Sequence, residues 1–117
     1  MANIQRQQKI ADQIQRELAE MIAREVRDPR VGMVTLTAVE VSADRAHATV
    51  FFTCLDAARA SAAEKGLNRA AGFLRTGLAR RIKMFTTPTL KFRYDESVER
   101  GAYLSGLIDS VATEGNT

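Results

Sequence analysis

Val34-Thr35-Leu36-Thr37-Ala38-Val39-Glu40-Val41-Ser42-Ala43-Asp44-Arg45-Ala46-His47-Ala48-Thr49-Val50-Phe51-Phe52-Thr53 holds two strand-like runs around a polar centre. In the first run Val34, Leu36 and Ala38 alternate with Thr35 and Thr37, the period of two that places alternate side chains on a covered face. The apolar phase then slips to Val39 and Val41, which predicts a bulge or a strongly twisted strand. Ser42-Ala43-Asp44-Arg45 supplies a turn without glycine. In the second run, Ala46 to Cys54, Ala48, Val50 and Phe52 share one face, and His47, Thr49, Phe51 and Thr53 share the other. The expected unit is an antiparallel hairpin with one face to be covered.

Working outward, Ile10, Ile14, Leu18, Met21, Ile22 and Val26 recur at helical spacing upstream of the hairpin,. This helix should end near Arg27, because Pro29 disfavours helical dihedrals at Asp28. Downstream, Asp56 can cap a helix from Ala57 to Ala71. Gly72 is read as an interruption, followed by a second helical run from Phe73 to about Phe85 that Thr86-Thr87-Pro88 stops. Leu90, Phe92 and Tyr94 alternate with Lys91 and Arg93 as a third, short strand. Asp95 to Ser97 can cap a last helix carrying Val98, Leu104, Leu107, Ile108 and Val111. The order αββααβα predicts an α+β domain with helices on one face of a small sheet.

The length of 117 residues suits one domain,, expected over residues 1–112 with a frayed tail at 113–117. A single cysteine, Cys54, excludes an internal disulfide and suits a reducing compartment,; it is read as a buried, inert thiol. No apolar stretch approaches the roughly 18 residues of a membrane span, and the N-terminus lacks a hydrophobic signal core. A cytoplasmic protein without membrane attachment is expected.

Charge is unevenly distributed. Lys65, Arg69, Arg75, Arg80, Arg81, Lys83, Lys91 and Arg93 lie in a window without a carboxylate. Of 17 Lys and Arg, 8 fall there, so 17 − 8 = 9 face all 14 Asp and Glu elsewhere. Clustered charge makes a local field and points to a polyanion. On a helical wheel from Lys65 to Phe85, Leu67, Leu74, Leu78, Ile82 and Phe85 share one arc, while Lys65, Arg69, Thr76, Arg80 and Lys83 lie opposite. Arg81 sits near the apolar arc and must snorkel unless the helix changes direction. A glycine inside a helix costs roughly 1 kcal/mol relative to alanine, so Gly72 should have a use. Small residues at Ala70-Ala71-Gly72 would let another backbone approach and expose helix-start amides, which attract phosphate. Against this, a basic helix face can be merely solvated and a glycine bend can serve packing.

Catalysis finds little support. His47 is the only histidine and has no Cys, Asp or Glu cluster at metal-ligand spacing,. No phosphate-binding loop with Gly-Lys-Ser/Thr occurs. Asp95, Glu96 and Glu99 read as helix-start acids favoured by the dipole. Phe51, Phe73, Phe92 and Tyr94 read mostly as core, with Tyr103 the only loose candidate, so base stacking is not supported and recognition should rest on phosphates. The rivals are a protein-interaction module setting its basic helix against an acidic protein surface, and a small enzyme with a pocket around His47 or Cys54.

Taken in order, several short motifs resemble the ribosome-binding factor A family over nearly the whole chain. They are Arg27-Asp28-Pro29-Arg30-Val31-Gly32, Val39-Glu40-Val41-Ser42 with Asp44, the strand Ala46 to Thr53, and Ala70-Ala71-Gly72-Phe73-Leu74-Arg75. Pro88, Leu90, Phe92, Tyr94-Asp95 and Ser97 complete the match. Phe85 and Thr89 depart from it, and the long charged C-terminal tail of some relatives is not matched. The resemblance implies a KH-like type II fold, αββααβ with an added C-terminal helix, in which Ala70-Ala71-Gly72 replaces the usual Gly-x-x-Gly loop. It further implies a non-catalytic assembly factor, and we expect a monomer without cofactor or metal. Such a factor binds the ribosomal RNA of the immature small ribosomal subunit near the decoding-site neck, supports growth in the cold, and is removed by a ribosome-associated GTPase. The RNA-binding candidates are Arg30, Arg69, Ala70, Gly72, Arg75, Arg80, Lys83, Lys91 and Arg93. For Arg30 a surface ion pair is an equal reading, and Lys91 and Arg93 sit on a strand face that can be solvent-exposed and idle.

Overall fold

A computed structural model describes residues 2–97, with side chains from residue 5 onward. Helix α1 (Ala2–Glu25) precedes strands β1 (Val34–Val41) and β2 (His47–Cys54); α2 (Ala60–Arg69), α3 (Ala71–Arg81) and β3 (Thr89–Tyr94) follow. The C-terminal helix expected after Asp95 lies outside the described residues. β1 and β2 pair antiparallel, and β3 joins β2 in parallel, giving the order β1-β2-β3. All three helices cover one face, where Ile14, Leu18, Met21, Val50, Phe52, Leu67, Leu74, Leu78 and Phe92 are fully buried.

The expected bulge is present. Pairing steps from Leu36↔Phe52 to Ala38↔Phe51, leaving Thr37 as the extra residue,. Gln15 on α1 donates to the Leu36 carbonyl at 3.0 Å beside the irregularity. The slip moves Ala38 off the inward set: it lies opposite Phe51, while Leu36 and Val39 are both buried. The turn after β1 closes with Arg45 N–H donating to Ser42 O at 2.9 Å, and Arg45 takes φ 60°. Asp44 accepts the Ala46 N–H at 3.0 Å, a polar side chain doing the work of a turn glycine,.

Between Asp56 and Pro88 the reading needs correction in three places. Asp56 caps a short 3-10 turn, Ala57–Arg59, rather than α2 itself. The helix break falls at Ala70, not Gly72. Ala70 N–H closes α2 on Gly66 O at 3.2 Å, and Ala70 O opens α3 by accepting Leu74 N–H at 2.9 Å. One residue at φ −81°, ψ −4° turns the chain, a bridge-region geometry open to alanine. Finally, α3 stops at Arg81 and Ile82 is extended, so one wheel cannot run through Phe85. Ile82 remains buried, whereas Phe85 is fully solvent-exposed and Phe73 is 56% exposed. Cys54 is likewise half-buried rather than buried, its Sγ donating to Asp56 O at 3.2 Å.

β3 forms one edge of the sheet, and α2 guards it. Asn68 donates to Phe92 O at 3.0 Å and accepts Phe92 N–H at 2.8 Å. Glu64, one helical turn earlier, accepts Tyr94 N–H at 3.0 Å. Backbone groups that would invite another strand are thereby satisfied internally. Asn68→Ala should destabilise the fold by about 1–3 kcal/mol, because Phe92 keeps a shielded N–H and carbonyl without partners. Urea unfolding of the variant beside wild type measures this.

Candidate nucleic-acid interface

The turn after α1 is built on one carboxylate. Asp28 accepts Arg30 N–H at 2.9 Å and takes the Arg30 guanidinium in a fork, Nε at 3.0 Å and Nη2 at 2.6 Å. Val31 N–H returns to Asp28 O at 3.0 Å, and Arg59 donates to Pro29 O at 3.3 Å. The side-chain bond from Arg30, then its backbone N–H, holds the Asp28 carboxyl at about 2 against an ordinary 3.8. Gly66 lets this turn dock on α2. A Cβ there would stand 2.8 Å from Val31 Cγ2 and 3.3 Å from Asp28 Oδ2. The docked turn brings Arg30 beside Arg69 and Ala70, around an open pocket of about 580 Å³. Arg30, Lys65 and Arg69 also border an adjoining depression of about 430 Å³.

The other candidates are dispersed. Gly72 is exposed in the first turn of α3, and a Cβ added to it would meet nothing within 4 Å. Packing therefore does not require glycine at this position. Arg75 donates through Nε and Nη2 to Thr87 O at 3.2 and 3.0 Å, tying α3 to the approach of β3. A carbonyl leaves its charge uncompensated. Arg80 is exposed towards the far end of α3, and Lys83 lines a separate pocket of about 450 Å³ with Arg45 and Phe85. Lys91 and Arg93 alternate with buried Leu90 and Phe92, opposite Thr49 and Phe51. They lie on the sheet face away from the helices, so the basic segment is split between two surfaces.

Partners distant in sequence sort these charges further. Arg81, the wheel's misfit, pairs with Glu17 at 3.1 Å, Glu20 at 3.7 Å and Glu25 at 3.9 Å on α1. The hydrogen bond from Arg81 to Glu17, helped by the neighbouring carboxylates, raises the guanidinium pKa further. Arg81 is thus a structural cation joining α3 to α1. Lys65, Arg69, Arg80 and Lys83 have no carboxylate within ion-pair distance among the described residues. Two contributors went unread in the sequence: Arg27 and the exposed Phe73, both lining the pocket at Arg69. The signal for Phe73 was present, since it precedes Leu74 and so lies roughly 100° from the apolar arc.

The described residues contain no group of three or more His, Cys, Asp or Glu able to hold a metal ion. No described helix is long and apolar enough to cross a membrane.

Comparison with known proteins is decisive on ancestry. The profile of the family described as ribosome-binding factor A matches residues 6–108. The chain belongs to the ribosome-binding factor A family. A ribosome-binding factor A of Pseudomonas fluorescens (strain Pf0-1) is 55% identical over 114 residues, covering 95% of this chain and 86% of the relative. That of Dechloromonas aromatica (strain RCB) is 54% identical over 105 residues, covering 90% and 85%. Among solved structures, the crystal structure of ribosome-binding factor A from Thermus thermophilus is similar with TM-score 0.69 and 32% identity, covering 75% of this chain and 93% of that one. A homology model of Thermus thermophilus ribosome-binding factor A, fitted into a cryo-EM map of a complex of that factor with the 30S subunit, gives TM-score 0.63 at 32% identity. It covers 74% of this chain and 91% of that chain.

The α+β fold is KH-like, as in these family structures. In it Ala70-Ala71-Gly72 joins the two central helices, with the bend made by the first of the three residues rather than the last. The Asp28 turn carries a pH signature. Folding lowers the carboxyl's pKa, so its stabilisation is complete above pH 3.8 and is lost as pH falls through about 2,. Asp28→Asn should therefore lower the melting temperature at pH 7, and the gap to wild type should shrink between about pH 4 and 2. Thermal unfolding across that range provides the check.

Proposed function

We propose that this chain binds the small ribosomal subunit through its ribosomal RNA and assists late maturation of that RNA without bond chemistry. The observation that carries the reading is the set of solvated cations on the helical layer, Lys65, Arg69, Arg80 and Lys83, unpaired among the described residues. They lie along α2 and α3 and the segment just beyond, on either side of an unobstructed helix start at Gly72. The first turn of a helix leaves its amides without intrahelical acceptors, and such a turn favours anions. Arg69 and Arg75 flank that turn in sequence. The likeness to a family member whose homology model was fitted into the map of a 30S complex supports the same partner here.

Phosphate contacts position a protein on RNA without reading sequence. A factor that prefers one of two RNA arrangements shifts their populations and must later be released. On this reading the chain acts as a cytoplasmic monomer, and a ribosome-associated GTPase supplies the release. Arg30 contributes chiefly by shaping the turn, its charge being partnered by Asp28. Lys91 and Arg93 would reach only RNA that passes to the opposite face of the sheet.

Co-sedimentation with immature and mature small subunits across a salt series tests the proposal. Wild type should bind immature subunits with an affinity falling steeply as salt rises. Arg69→Glu/Arg80→Glu/Lys83→Glu should fold normally by circular dichroism and lose that binding. Wild type that ignores both kinds of subunit would refute the ribosomal role. Gly72→Ala separates structure from function, since it should raise stability by up to roughly 1 kcal/mol while weakening subunit binding if RNA approaches that backbone closely.

A further inference from the structure

Phosphate binding leaves Phe73 without a task. α3 meets the core through Leu74 and Leu78, both fully buried, while the Phe73 ring stands 56% exposed in the first turn. It borders the pocket of about 580 Å³ between the Asp28 turn and the α2–α3 junction, a size typical of small-ligand clefts, about 300–1,000 Å³. Five charged residues line the same pocket: Glu25, Arg27, Asp28, Arg30 and Arg69. Their partners decide its sign. Asp28 is held by Arg30, and Glu25 faces Arg81 at 3.9 Å. Arg27 and Arg69 have no carboxylate within ion-pair distance among the described residues. A flat apolar ring therefore sits beside two guanidinium groups that make no ion pair of their own, although Arg69 lies near enough to Asp28 to help hold its carboxyl down.

We propose that Phe73, flanked by Arg69 and Arg27, is a stacking platform for one unpaired base of the bound RNA. The inference rests on the RNA-binding reading above and adds a base contact to it. A nucleotide combines the two chemistries that the pocket offers, a π-face for the ring and an attached anion for the arginines. Stacking tolerates any base, because every base has such a face. Arg side chains can also lie flat on the base from the side. An acidic protein segment would satisfy the arginines and leave the ring to a chance apolar contact, so it fits less completely.

The chain contains no tryptophan, so Phe73→Trp places a single reporter at the platform. The full-length variant is titrated at low salt with a short single-stranded RNA and with the same strand carrying abasic sites. Quenching of the indole by the intact strand, and its absence with the abasic strand, is expected. Phe73→Ala should bind the intact strand roughly ten- to a hundredfold more weakly than wild type. Its salt dependence should be retained, since the phosphate contacts remain. Because the ring is exposed, circular dichroism of Phe73→Ala should match wild type.

Unchanged affinity in Phe73→Ala, equal quenching by the abasic strand, or no wild-type binding of the intact strand would each overturn the platform. Loss of subunit binding by Phe73→Ala with its RNA affinity intact would also overturn it and assign the ring to a protein contact. None of these outcomes touches the broader reading, which stands or falls on wild-type co-sedimentation with the subunit.

Discussion

Because β3 runs parallel to β2, the chain leaving Cys54 must travel back along the whole sheet before it can pair again. Parallel neighbours demand such a crossover, usually helical, and here two helices joined at a single residue supply it. The return is held in place by α2, whose Asn68 and Glu64 take up the outer edge of β3 at Phe92 and Tyr94. These bonds set where α2 lies and hence where the Ala70 junction emerges. The Asp28 turn then docks against Gly66 on the same helix. A functional surface assembled from distant segments thus inherits its geometry from how one edge strand is satisfied.

The same arrangement sorts the charges. A stretch rich in cations and free of acids becomes, once folded, four populations with different work. Arg81 turns inward to the acids of α1; Arg75 grips a loop carbonyl; Lys65, Arg69, Arg80 and Lys83 stay solvated. Lys91 and Arg93 leave the helical layer altogether because strand parity sends them to the other face. Exposed ion pairs contribute little to stability, so the use of Arg81 is chiefly geometric, setting α3 against α1. What remains unpaired is what a polyanion would meet.

Much of the fold was legible from local pattern. The bulge showed as a phase slip between Leu36 and Val39, the hairpin as two alternating runs, and the end of α1 as Asp28-Pro29. Errors gathered where local signals compete. Gly72 looked like the break because glycine weakens helices, but Ala70 reached bridge-region dihedrals without one. Phe73 was read with the core aromatics, and Phe85 was placed on the covered arc by the wheel; both are exposed. The wheel held across Ala70, where Leu67, Leu74 and Leu78 are all buried, but carried past Arg81 it could not show that the helix ends there and that Phe85 leaves the covered arc.

The sequence by itself determined the element order, the inward faces of the strands and the existence of a basic segment, because periodicity and composition are local properties of a chain. Its ordered motifs were also enough to indicate the family. Only the tertiary structure decided which cations keep their charge free, since the acids that neutralise Arg81 lie some sixty residues away on another helix. It alone brought Arg27, Arg69 and Phe73 around one pocket. That meeting depends on a close approach at Gly66, and contact between segments remote in sequence leaves no periodic trace in either of them.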